Sequence, residues 1–233
     1  MGGQATGEMK KLLALTISAG LATAGAQTLG VGFSTGGGIE LGLTGGYANG
    51  LSGEAFVHAP NLAGPLGVKV GASFTRPSDA LNDNASFTNT GTDADLTFGD
   101  LKNAFGATES GSHTVFSLDG TYDVGELTPG VGATLYAGGR YGLFRSSATF
   151  EGDTTTYSSN AFGIGAGVMV DYALAGNLSL IGDVGVDQFF KSAINVSNGD
   201  TIGTNDPSYS GFDNLFVRPG TVFKARIGIK TTF

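Results

Sequence analysis

The last thirteen residues, 221–233 (TVFKARIGIKTTF), constrain the fold more than any other stretch of the chain. At period two, one face carries Thr221, Phe223, Ala225, Ile227, Ile229, Thr231 and Phe233; the other carries Val222, Lys224, Arg226, Gly228, Lys230 and Thr232. A face this apolar suits contact with lipid, whereas three cations on the opposite face need a polar interior. A closed antiparallel sheet that crosses a membrane meets both demands, because lipid-facing and lumen-facing side chains alternate along each strand. A soluble sandwich normally reverses the pattern, with the apolar face in the core and the cations in water. Period alone does not separate the two, so the rest of the chain has to decide.

The first 26 residues speak for export. Met9-Lys10-Lys11 precede an apolar run over 12–24 and the sequence Ala24-Gly25-Ala26. A basic n-region, a short apolar h-region and an A-x-A site define a secretory signal cleaved after Ala26. The run is too short to span a bilayer as a helix. Residues 1–8 read as an upstream start-site extension, and their match to a myristoylation pattern as chance. The expected division is therefore 1–26, extension and signal peptide, and 27–233, a single transmembrane barrel. With no cysteine in the chain, no disulfide framework is available in the exported compartment. The net charge of −8 argues against nucleic acid, which needs a basic surface.

Alternation marks eight strands after the signal, over 38–48, 51–59, 66–75, 114–123, 131–147, 162–174, 178–191 and 221–233. The third is the cleanest, with Leu66, Val68, Val70, Ala72 and Phe74 against Gly67, Lys69, Gly71, Ser73 and Thr75. The Asn49-Gly50 pair is a strong hairpin signal. Glycine accounts for 41 of 233 residues, against a usual share of roughly 7%. Much of it falls inside the alternating segments, as expected where curved backbones approach closely in a small barrel. Connections at 60–65, 124–130 and 175–177 are short; 76–113 and 192–220 are long, and 149–161 is of medium length. Antiparallel order puts the short turns at one end and the longer connections at the other, with Asn49-Gly50 the one short hairpin on the long-loop side. Outer-membrane barrels have this asymmetry and an even strand number, and a soluble up-and-down barrel has less reason to segregate its loops. The expected fold is all-β: an eight-stranded antiparallel up-and-down transmembrane β-barrel.

That topology also places the aromatics. Tyr47, Phe74, Tyr141, Phe162, Phe190 and Phe223 fall near the loop ends of their strands, and Tyr122, Tyr172 and Phe233 near the turn ends. Two such belts suit amphipathic rings at two membrane interfaces. From 28 to 233 the chain resembles the small eight-stranded outer-membrane barrels, such as the OmpA-type transmembrane domain and related surface barrels. The most specific element of the resemblance is the final strand. Its Phe223, Ile227, Ile229 and Phe233 resemble the signal read by the outer-membrane assembly machinery, which the resemblance implies as a partner beside outer-membrane lipid. No appended peptidoglycan-binding domain is expected after Phe233.

The same parity gathers charge inside the barrel: Glu40, Glu54, Lys69, Asp119, Asp123, Arg140, Asp171, Asp183, Asp187, Lys224, Arg226 and Lys230. Asp183 and Asp187 are expected to face Lys224, Arg226 or Lys230 on the neighbouring strand. Eight strands leave an interior that side chains fill, and a buried charge must be paired. A charged plug is therefore expected ahead of a gated conduit. The loops are acidic. Asp79, Asp83, Asp93, Asp95, Asp100 and Glu109 crowd the first long one, and a solvated surface is expected there, with Asp93 and Asp95 the nearest approach to a cation site. No EF-hand, GxSxG, HExxH or P-loop is present, and Ser112 beside His113 faces the opposite side of its strand. No cofactor and no catalysis are expected. The leading function is a structural barrel that meets cell-surface partners through its loops; the alternatives are a narrow small-solute channel and a soluble periplasmic barrel that binds an apolar ligand.

Overall fold

Strand alternation governs the backbone of the computed structural model, which describes residues 38–87, 96–216 and 218–233. The expected signal peptide and the residues Asp93 and Asp95 lie outside the described residues. In chain order the elements are β1 (Glu40–Ala48), β2 (Gly50–Ala63), β3 (Leu66–Pro77), β4 (Ser86–Phe87), β5 (Leu96–Thr97), α1 (Phe98–Phe105), β6 (Thr108–Thr128) and β7 (Val131–Phe150). There follow β8 (Asp153–Ala175), β9 (Leu178–Phe189), β10 (Ile194–Val196), β11 (Thr201–Ile202), α2 (Tyr209–Leu215) and β12 (Thr221–Thr232).

Eight of these strands form a closed antiparallel ring in the order β1-β2-β3-β6-β7-β8-β9-β12. β12 returns to β1 in unbroken register from Glu40↔Thr232 to Ala48↔Lys224, so the ring has no free edge along its seam. Register shifts fall only near the short turns, between Ala59 and Ala63, Asp123 and Gly125, Glu126 and Thr128, and Ala173 and Ala175. Outward positions are bare of protein contact: Phe223 is 73% exposed, Val184 63% and Ile227 62%. Their inward neighbours Val222, Lys224 and Arg226 are buried. A barrel that is apolar outside and charged inside is a soluble protein turned inside out. No described helix is long and apolar enough to cross a membrane.

The loops depart from expectation in two ways. First, 149–161 is not a medium loop. β7 and β8 continue to Phe150 and from Asp153, joined by Glu151 (φ 48) and Gly152 (φ 92). Two successive left-handed residues make the tight turn that matches strand twist. Apolar alternation disappears along this extension because both faces leave the lipid. Hydroxyl pairs replace it: Ser147 with Thr156 and Thr149 with Thr154, each at 2.9 Å across the strands.

Second, the long connections carry apolar cores of their own. Thr97 caps α1 reciprocally with Asp100, and Leu81, Ala85, Phe98, Ala107 and Leu215 pack together between the two long loops. A second cluster unites Phe144, Phe189 and Val222 of the barrel wall with Ile194, Ile202, Tyr209 and Phe216 of the last loop. Leu81, Ile194 and Phe216 have no exposed surface at all. These residues follow no regular period in the sequence, which is why a solvated loop was the simpler expectation.

Candidate functional site

The lumen is built in layers, because each strand contributes inward residues two apart. On β2 the inward series from the loop side is Ser52, Glu54, Phe56 and His58, so one strand passes through a hydroxyl, a carboxylate, an aromatic ring and an imidazole.

Nearest the short turns, Lys230 Nζ donates to Glu40 Oε1 at 2.9 Å and lies 3.3 Å from Asp171 Oδ1. His58 bridges Glu40 (Nδ1 to Oε2, 2.7 Å) and Thr121 (Nε2 to Oγ1, 2.9 Å). Asp123 lines the same opening, a cavity of about 250 Å³ shared with Glu126 and Asp171. Its carboxylate accepts the Gly125 N–H at 2.9 Å, and it makes no ion pair among the described residues. Asp123 therefore differs from the expectation of a networked charge; it sits at a register shift and serves the turn.

Above this mouth lies an apolar layer of Phe56, Tyr136, Met169 and Ile181. Above that lies the central charged layer. Arg140 donates to Asp119 at 2.6 Å and to Asp187 at 2.7 Å. Lys224 donates to both oxygens of Asp187, at 2.9 and 3.0 Å. Lys69 pairs with Glu54 at 3.0 Å, and Arg226 pairs with Glu54 and donates to Ser52 at 3.0 Å. Asp183 accepts the Tyr136 hydroxyl at 2.6 Å and stands 3.9 Å from Arg226. Lys69 lies over the Phe56 and Tyr136 rings at 5.0 and 4.7 Å. Lys69, Arg140, Lys224 and Arg226 thus balance Glu54, Asp119, Asp183 and Asp187 in sign, all of them buried. Balance matters because breaking such a pair costs more than making it gains.

Asp187 faces Lys224, within the expected set, but the nearest partner of Arg226 is Glu54, far away in sequence, and Lys230 turns to Glu40 and Asp171. Sequence neighbourhood gave the β9–β12 contacts and missed those across the seam, since ring closure brings β1 and β2 to the same side chains.

Glycines shape this packing. A Cβ on Gly165 would lie 2.0 Å from Asp187 Oδ1 and 2.6 Å from Arg140 Nη2. Gly165→Ala is expected to lose about 1–3 kcal/mol, read as a lower urea midpoint for unfolding in lipid vesicles. An unchanged midpoint would show that the network has slack there.

On the outside, Tyr47, Phe74, Phe162, Phe190 and Phe223 are exposed toward the loop side. Tyr141 is half-buried there against Phe162, with centroids 5.0 Å apart. Tyr122, Tyr172 and Phe233 are exposed at the turn side, and Ile227 and Ile229 lie on the outward face of β12 between the rows. His113 is buried edge-on against Phe144 at 5.2 Å. Glu40, His58 and Thr121 form an acid–imidazole–hydroxyl series, with His58 and Thr121 2% and 4% exposed.

A closed eight-stranded ring, apolar and aromatic-rimmed outside with paired charges inside, defines an eight-stranded outer-membrane β-barrel. No protein-family model and no curated protein matches the sequence. Among solved structures, the major outer membrane protein from Thermus thermophilus is 31% identical, with a TM-score of 0.75 over 85% of this chain and 100% of that chain. The chain belongs to the family of that protein, and its place is the outer membrane. The attachment invasion locus protein Ail of Yersinia pestis is similar at 11% identity (TM-score 0.44, over 84% of this chain and 97% of that one). Neisserial surface protein A is similar at 13% (TM-score 0.41, over 84% and 96%).

Proposed function

We propose that this protein is a non-conducting structural barrel of the outer membrane that presents its folded loops to the cell surface, without catalysis. One observation carries the reading: the central charged layer lies between two apolar layers, Phe56–Tyr136–Met169–Ile181 toward the short turns and Phe144–Phe189–Val222 with Ile194 and Phe216 toward the loops. An ion crossing the lumen would have to pass both layers undressed of water and also break balanced pairs. A narrow solute channel fits this arrangement less well. The purified barrel in planar bilayers is expected to give no steady open-channel current. Stable single-channel steps, reproducible across preparations, would replace the structural reading with the channel.

The outward residues of β12 supply the assembly signal. Deleting Phe233 is expected to leave export intact and to lower the amount of folded, protease-resistant barrel in the outer membrane severalfold. Normal accumulation of the truncated protein would remove Phe233 from that role.

A further inference from the structure

A second cavity lies outside the lumen, in the loop-side cap. Its volume is about 230 Å³, and it opens between α1, the β7–β8 hairpin and the end of α2. The floor is apolar and fixed: Leu81, Phe98 and Leu215 are 0%, 3% and 6% exposed, with Leu101, Ala148 and Tyr157 packed against them. The lip is of another kind. Glu151, in the hairpin turn, and Asp153, the first residue after it, are both exposed and also line the cavity. Among the described residues, neither side chain forms an ion pair or accepts a hydrogen bond.

The cation at hand, Lys102, is already committed. It donates to Glu109 at 2.7 Å and to both oxygens of Asp83 at 2.9 and 3.1 Å. Those hydrogen bonds, to Glu109 first and then Asp83, hold its ammonium above the ordinary lysine range. The neighbouring triad Asp79, Asp83 and Glu109 thus has its counter-charge built in. The carboxylates at the lip do not.

From this geometry we infer that the cap cavity binds a small organic cation: one aromatic ring or short alkyl group in the apolar floor, and an ammonium group between Glu151 and Asp153. Size and charge both point to this class. A cavity of about 150 Å³ lined by aliphatic and aromatic side chains takes up benzene, so this one has room for a ring with a short arm. An apolar pocket with a few convergent polar groups is the usual form of a small-ligand site, and two unpaired carboxylates at its rim select the sign of the arm. The lip is solvent-exposed, so its contribution is screened by salt, and the expected affinity is millimolar. The site is independent of whether the lumen conducts.

The test uses the folded barrel in phospholipid nanodiscs with methyl-labelled Leu and Ala, titrated with three probes of similar size: phenethylammonium, phenethyl alcohol and phenylacetate. The floor methyls of Leu81, Leu215 and Ala148 are expected to shift with the ammonium at least tenfold more tightly than with phenylacetate, with the alcohol between. Glu151→Gln with Asp153→Asn should abolish that preference while the alcohol binds as before. Filling the floor by Ala148→Phe should abolish binding of all three; if that variant does not fold, Leu101→Trp serves the same purpose. Equal binding of ammonium and phenylacetate would overturn the proposal. So would floor methyls that stay fixed at saturating probe, or a response that survives in the filled variant.

Discussion

Arg140→Gln lowers the stability of the folded barrel by about 3–5 kcal/mol, the usual consequence of removing one partner from a buried charge pair. Among the described residues Arg140 is the one ion-pair partner of Asp119, and it shares Asp187 with Lys224. Its loss leaves Asp119 without an ion pair inside the charged layer, while Asp187 keeps Lys224. The asymmetry makes the effect specific. Adding Asp119→Asn should recover a large part of the loss, and adding Asp187→Asn should recover little, because that change also unpairs Lys224. Urea midpoints for the single and double variants, refolded into vesicles of one lipid, measure the coupling directly. Equal rescue by both substitutions would mean that the central layer behaves as diffuse charge rather than as discrete pairs.

The second large effect lies on the other side of the same wall. Ile227→Lys is expected to cost about 2–4 kcal/mol, the depth-dependent penalty for a cation on the lipid face near the midplane. Ile227 is 62% exposed and stands opposite Gly45 and Gly182, between the exposed rings of Phe223 and Phe233 on its own strand. Thr221→Lys, on the same face at the loop-side end of β12, should cost far less, because a lysine there can extend into the interface. Tolerance of both substitutions alike would invert the assignment of faces on β12.

Most of the barrel was legible because two different environments lie on the two sides of one sheet. Wherever lipid faced lumen, as along Leu66–Pro77, alternation was strong and the strand was placed nearly to the residue. Along 144–158 water lies on one side and the cap on the other. The pattern there lost its apolar half, and Thr149, Thr154 and Thr156 read as a loop although they pair as strands. The charges of the lumen were legible for the same reason as the strands, since parity alone sends Lys69 or Arg140 inward. Their partners were not, because Arg226 meets Glu54 only through closure of the ring. Nor was the mixed nature of the filling apparent: Phe56, Tyr136, Met169 and Ile181 look like ordinary strand residues until the layers are stacked.

The seam between β1 and β12 has a consequence for the balance of charge around the ring. Its internal ties, Lys230–Glu40 and Arg226–Glu54, join residues 190 and 172 positions apart. Joining segments this far apart carries a larger entropy of closure than joining sequence neighbours. The other seven strands carry Glu40, Glu54, Asp119, Asp123, Asp171, Asp183 and Asp187 on their inward side against Lys69 and Arg140, an excess of negative charge. β12 carries Lys224, Arg226 and Lys230 together. The inward faces of the other seven strands are thus complementary in charge to the strand that closes the ring, and Lys224, Arg226 and Lys230 supply the cations that their carboxylates pair with.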